Sequence, residues 1–258
     1  MRAVIKFGGS CLTRPDDLRR AVAWAKALEP PVVLVVSALN GVTENLIHAA
    51  EGALHGGVDV SWLRARHLEA VETLEDAPRV KSRLEALFSE LERCLLGIQY
   101  LADLSPRTRD RVMGFGEKLS AVILSEHLSA CGLPTRMLSD SEAGIFTDAR
   151  HGNASILDSA SEAVVGIFTE SVYYVVTGFI GRSPRGDLTT LGRGGSDYTA
   201  SYLAAAFKCP LTLVKDVACV ITADPKLVPQ AVGIERLHYL DALELSHYGL
   251  KAVQEKSL

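Results

Sequence analysis

The first 36 residues constrain the fold most. Ala3-Val4-Ile5-Lys6-Phe7 is a short, largely apolar run that ends in Gly8-Gly9-Ser10. Leu18, Ala21, Val22, Ala25 and Leu28 then recur at helical spacing until Pro30-Pro31 stops the pattern. Val32 to Val36 follows as an unbroken apolar run, which suits a parallel strand buried on both faces rather than an alternating edge. Strand, glycine turn, helix and strand together make a βαβ unit.

The same grammar returns later. A largely apolar helix is predicted near Glu117–Ala130, closed by Gly132, then a strand near Thr135–Leu138, a helix near Ala154–Phe168 and a strand at Val172–Thr177. A polar, glycine-rich stretch, Gly181–Gly195, leads into a helix with Ala200, Leu203, Ala204 and Phe207 on one face, and then into the strand Leu211–Val214. The expectation is an α/β protein with a mainly parallel central sheet and helices on both faces. Residues 60 to about 105 break the rhythm. They hold no convincing strand, and Leu84, Leu87, Phe88, Leu91 and Leu95 repeat with helical period among mixed charges, so a helical insertion on one side of the sheet is expected.

Composition narrows the function. Lys and Arg number 27 against 31 Asp and Glu, a formal net charge of −4 with the signs interspersed. A nucleic-acid or anionic-membrane partner would call for a clustered basic face, so neither is expected. No apolar stretch approaches the ~18–20 residues of a membrane span, and the expected location is the cytoplasm. The five cysteines are scattered, without C-x-x-C pairs, which argues against structural zinc and a disulfide framework. Small-molecule chemistry is the default.

Two glycine clusters carry chemistry. At Lys6-Phe7-Gly8-Gly9-Ser10, glycines after a strand let backbone N–H groups approach a phosphate while the lysine reaches the same anion; a plain tight turn is the alternative. Gly192-Arg193-Gly194-Gly195-Ser196-Asp197 opens the later helix, where Ser196 or Asp197 is placed to cap and the arginine suits bidentate capture of a carboxylate or phosphate. Two such sites in one α/β chain point toward phosphoryl transfer, which needs cationic and N–H donors on both sides.

These two segments, with Val36-Ser37-Ala38-Leu39-Asn40-Gly41-Val42-Thr43, Gly116-Glu117-Lys118-Leu119-Ser120 and Thr222-Ala223-Asp224-Pro225-Lys226, together resemble the aspartokinase branch of the amino acid kinase family. Gly249-Leu250-Lys251-Ala252-Val253 is similar to a further segment of that family. The resemblance implies an amino acid kinase-like fold over 1–258, with an amino-acid-binding lobe over about 1–180 and a nucleotide-binding lobe over about 181–258. It implies that Lys6 follows the transferring γ-phosphoryl, with Gly8, Gly9 and Ser10 as donors beside it. Arg193 would clamp the α-carboxylate of aspartate and Glu117 would accept from its α-amino group. Ser37 and Thr43 would add hydroxyls, and Asp197 would organise the charged centre. Gly194, Gly195 and Ser196 would meet phosphate, Lys215, Asp216, Thr222 and Lys226 would lie along the nucleotide, and Lys251 would stabilise the leaving phosphate.

The implied reaction is phosphorylation of the aspartate β-carboxylate by ATP with Mg²⁺, the metal held largely by nucleotide oxygens and water, so that no metal ligands are assigned. Alternatives are a catalytically silent amino-acid- or nucleotide-binding regulatory relative, and a kinase for another acidic amino acid such as acetylglutamate. A homodimer is expected, with a separate regulatory chain as a further partner. No ACT regulatory domain is read in these residues, so end-product amino acids are expected to leave the rate of this chain unchanged.

Overall fold

The structure is a computed structural model that describes residues 1–75, 77–216, 220–222 and 228–247. Strands β1 (Ala3–Phe7) and β2 (Val32–Val36) flank α1 (Pro15–Lys26). The helix starts where the sequence supplies a proline in its first turn and an Asp17 carboxylate that accepts the Arg14 N–H at 2.9 Å. Next come α2 (Val42–Ala53), α3 (Ser61–Val71), α4 (Ala77–Leu101), α5 (Pro106–Met113) and α6 (Phe115–Ala130). The chain continues through β3 (Thr135–Leu138), α7 (Ala160–Ile167), β4 (Tyr173–Thr177), β5 (Ile180–Arg182), β6 (Leu188–Thr190), α8 (Gly195–Phe207) and β7 (Leu211–Val214). A ribbon of β8 (Val220–Ile221) and β9 (Gly233–Ile234) and helix α9 (Tyr239–His247) complete the described elements.

Five strands form one sheet in the order β3-β4-β2-β1-β7, and every pairing in it is parallel. All residues of β1, β2 and β4 are buried, as unbroken apolar runs require when both faces are covered. Alternation along the strands divides the core in two. Ile5, Phe7, Leu34, Val36 and Val175 face α1, α2, α4 and α6, whereas Val4, Val33, Val35, Tyr174 and Val176 face α7 and α8. Helices therefore cover both faces, as expected.

Within residues 60–105 the described elements are the helices α3 and α4, which lie on one side. Val80, Leu84, Phe88, Leu91, Leu95 and Ile98 of α4 are buried in the first core, and burying each such side chain stabilises the fold by roughly 1.5–3 kcal/mol. Glu126 of α6 is also buried and pairs with Arg79, at 2.6 Å, and with Arg83, tying α4 to α6 from its solvent side.

Two local expectations are corrected. The helix placed near 154–168 begins only at Ala160, because the N–H of Ala154 is taken by the Thr190 carbonyl at 2.9 Å and Ile156 bridges Thr147. The glycine-rich stretch 181–195 contains the antiparallel hairpin β5–β6, closed by the Ser183 N–H on the Asp187 carbonyl at 2.9 Å. Helices α2 and α5 add to the pattern read from the sequence. No helix among the described residues is long and apolar enough to cross a membrane.

Candidate active site

Four parallel strands end on one side of the sheet, the edge at which open α/β sheets bind ligands. The segments that follow them are Gly8–Ser10 after β1, Ser37–Gly41 after β2, Phe179 after β4 and Lys215-Asp216 after β7; together they line an open cleft of about 640 Å³. The first turns of α2, α6 and α8 reach the same cleft through Thr43, Glu117 and Ser196. The N-terminal ends of α2 and α8 turn their positive dipole ends toward it, although the Val42 N–H already donates to the Leu39 carbonyl and the Gly195 N–H to the Gly192 carbonyl, each at 3.0 Å.

Close backbone approach makes the cleft floor. A side chain on Gly9 would place its Cβ 2.2 Å from the Ala38 carbonyl oxygen, so only glycine lets the β1 loop rest on the β2 loop. Gly8 has a different job from the one expected of it. Its N–H donates to the Val214 carbonyl at 3.0 Å and closes β1 onto β7, which leaves no donor for phosphate.

The charged centre is compact. Lys6 Nζ lies 2.7 Å from Asp197 Oδ1, and Lys215 Nζ donates to Asp197 Oδ2 at 2.6 Å. Lys6 and Asp197 are both buried. Burial pushes the Asp197 carboxyl up, but Lys6 and Lys215 outweigh it and hold the group below its ordinary value. Asp197 is therefore a fixed anion that aligns two cations, and the trio carries one net positive charge. Each Asp197 oxygen meets one lysine, and no set of three metal-ligating side chains occurs among the described residues.

Helix α8 departs from the sequence reading. Neither Ser196 nor Asp197 caps it; Gly194 occupies the N-cap position at φ +73° without a side-chain cap, and both residues lie inside the first turn. The left-handed conformation of Gly192 and Gly194 turns the loop so that Arg193 projects between them. Arg193 is exposed, lines the cleft and makes no ion pair with the described residues.

Glu117 stands apart electrostatically. Its Oε1 accepts the Ala38 N–H at 3.0 Å, while Oε2 is buried with no hydrogen-bond partner among the described residues. Burial raises its pKa to about 8, against the opposing pull of the Ala38 N–H and the Lys6 charge. A cation brought beside Oε2 would favour its ionised form.

The structure thus gathers Lys6, Gly8, Gly9, Ser10, Ser37, Thr43, Glu117, Arg193, Gly194, Gly195, Ser196, Asp197, Lys215 and Asp216 around one cleft. Thr222 is not brought in: its N–H and hydroxyl engage Val232 at 3.0 and 3.1 Å and close the β8–β9 ribbon. Lys226 and Lys251 lie outside the described residues. Phe179, Met113 and Gly152 also line the cleft and were not anticipated. Phe179 adopts φ +64°, an outlier for an aromatic residue that no sequence pattern announces.

The sequence profile of the amino acid kinase family matches residues 1–258. The chain belongs to the amino acid kinase family. Aspartokinase 1, chloroplastic, of Arabidopsis thaliana is 32% identical over 270 residues, which cover 99% of this chain and 47% of that protein. Aspartokinase 1 of Bacillus subtilis (strain 168) is 33% identical over 167 residues, covering 64% of this chain and 41% of the relative. The solved structure of E. coli aspartokinase III in complex with aspartate and ADP has a TM-score of 0.89 at 25% identity and covers 100% of this chain and 59% of that one. The chain spans about half the length of the plant relatives it matches. Its fold is that of these amino acid kinases, with the charged cleft at the strand ends.

Proposed function

We propose that this amino acid kinase chain transfers the γ-phosphoryl group of MgATP to the β-carboxylate of L-aspartate. The observation that carries the reading is that one cleft is lined by a buried carboxyl oxygen, Glu117 Oε2, and by the Arg193 guanidinium, neither with a partner among the described residues. An α-amino acid presents an ammonium and a carboxylate on one carbon, which is the complement of that pair. A second carboxylate then extends from the same carbon toward Lys6, and aspartate has that shape. The E. coli relative holds aspartate and ADP in its own structure, which supports the assignment.

The chemistry follows from the arrangement. The aspartate β-carboxylate, with a reference pKa of ~3.9, is already ionised at neutral pH and needs no general base. One of its oxygens attacks the γ-phosphorus, the bond from that phosphorus to the bridging oxygen breaks, and ADP leaves. Mg²⁺ would enter as part of the nucleotide substrate and would spread the charge of the phosphates. Lys6, fixed by Asp197, is placed beside the transferring group, where charge spreads in the transition state. Lys215 and the N–H groups of Ser196 and Asp197 at the start of α8 would lie along the nucleotide phosphates.

An N-acylated substrate would leave Glu117 Oε2 without a cation. The test is ADP release across a panel of acidic amino acids with hydroxylamine present to trap an acyl phosphate. Aspartate should give ADP and the hydroxamate, whereas turnover of acetylglutamate in preference to aspartate would overturn the assignment.

A further inference from the structure

Asp110, on α5, lies outside the cleft lining yet is 1% exposed. Its carboxylate accepts the Gly152 N–H at 3.0 Å, the Thr190 N–H at 3.1 Å, the Thr190 hydroxyl at 2.7 Å and a His151 Nδ1 contact at 2.9 Å. Its donors come from two segments that meet at the Arg193 loop. Thr190 ends β6 three residues before Arg193, and Gly152 lines the cleft itself. Gly192 rests directly on the second segment, since a Cβ there would lie 2.8 Å from Asn153 Oδ1 and 3.2 Å from the Gly152 carbonyl. The guanidinium of Arg193 has no ion-pair partner of its own among the described residues, so its backbone sets its place.

We propose that Asp110 is the positioning residue for Arg193, acting through Thr190 and Gly152, with His151 as an outer clamp. The proposal rests on Arg193 reading the substrate α-carboxylate. Asp110 gathers donors only; an amide would turn an N–H₂ group toward them and leave a buried N–H unpaired. The loop carrying Arg193 would then lose its fixed height above the cleft, whereas the nucleotide side, held by Lys215 and the β1–β7 contact, would not move.

The test is a double-mutant cycle read by calorimetric binding of aspartate and of MgADP to the wild-type chain, Asp110→Asn, Arg193→Ala and the double variant. Asp110→Asn should weaken aspartate binding by about tenfold or more while MgADP stays within about twofold, and in the Arg193→Ala background it should change aspartate binding by less than about twofold. Equal losses for both ligands, or the full aspartate loss persisting without Arg193, would overturn the positioning role. Thr190→Val, which removes one hydroxyl and keeps the strand, takes the place of Asp110→Asn in the same cycle if the latter does not fold, with the same pattern at smaller size. A wild-type chain that binds MgADP and not aspartate would overturn the substrate assignment and this proposal together; intact aspartate binding with an Asp110 variant that behaves as wild type overturns this proposal alone.

Discussion

Replacing Glu117 by glutamine removes an ionisable group and keeps the side chain's size. The amide oxygen keeps the Ala38 N–H, which now sits 3.0 Å from Oε1. Two effects of opposite sign follow. In the empty cleft the glutamate is driven by burial from an ordinary 4.5 to about 8. Between those two pH values the folded chain holds a proton that the unfolded chain has released, so this group's contribution to stability is full below about 4.5 and falls as pH rises through about 8. At ~1.4 kcal/mol per pH unit the ceiling on that loss is ~5 kcal/mol, and water in an open cleft will reduce it. Glu117→Gln should therefore melt higher than the wild type near pH 8, by an amount equivalent to at least ~1 kcal/mol, with the advantage shrinking toward pH 5. Aspartate binding should move the other way. A hydrogen bond to a charged partner is worth about 1.5–3 kcal/mol, so the variant should bind aspartate roughly ten- to a hundredfold more weakly. Because the substrate ammonium needs the ionised carboxylate, wild-type affinity should improve by up to about tenfold per pH unit as pH rises toward 8, and the variant should show no such slope. Thermal melts and calorimetric titrations over that range decide the matter. Equal pH slopes in the two proteins, or a variant less stable than wild type near pH 8, would refute the reasoning.

Three further outcomes are expected. Lys6→Ala should cut kcat by 10²–10³, roughly 2.7–4 kcal/mol, while aspartate affinity changes far less, as separate rapid-quench and binding measurements would show. Arg193→Lys keeps the charge but loses the planar fork, so steady-state kinetics should show a raised KM for aspartate with KM for ATP nearly unchanged. Buried His67, whose pKa burial lowers from 6.5 to about 4, binds a proton in the unfolded chain before it does in the folded one, so its contribution to stability is present above 6.5 and lost as pH falls toward 4. Melts of His67→Phe against the wild type should converge in slope above that range and diverge within it, the wild type falling faster in acid.

Much of this architecture is legible in the chain, for physical reasons that differ by element. Val32–Val36 reads as a doubly buried strand because both faces of the sheet are covered, and the structure buries all five residues. The β5–β6 hairpin escapes because three-residue strands carry too little alternation to register, and its buried Thr189 and Thr190 look like solvent-facing residues. Asp110 is hidden in Arg107-Thr108-Arg109-Asp110-Arg111, a charged run that suggests a solvated face, and only tertiary packing turns it inward. Around the cleft, the motif residues converge because most lie at or just after a strand end or open a helix, positions that punctuation by glycine reveals. Phe179 gives no such sign, since its strained backbone depends on the sheet and α8 closing about it.

The direction in which the substrate lies is the heart of the proposed activity: α-ammonium on Glu117, α-carboxylate on Arg193, β-carboxylate beside Lys6. Borohydride reduction of the acyl phosphate formed from aspartate and MgATP tests it directly, because the reduced carbon marks the phosphorylated carboxylate. The expected product is 2-amino-4-hydroxybutanoate, from reduction at the β-carboxylate. Recovery of 3-amino-4-hydroxybutanoate would show the α-carboxylate at Lys6, and ADP release without any amino alcohol would show that no carboxylate of aspartate receives the phosphoryl group; either would contradict this assignment of the cleft.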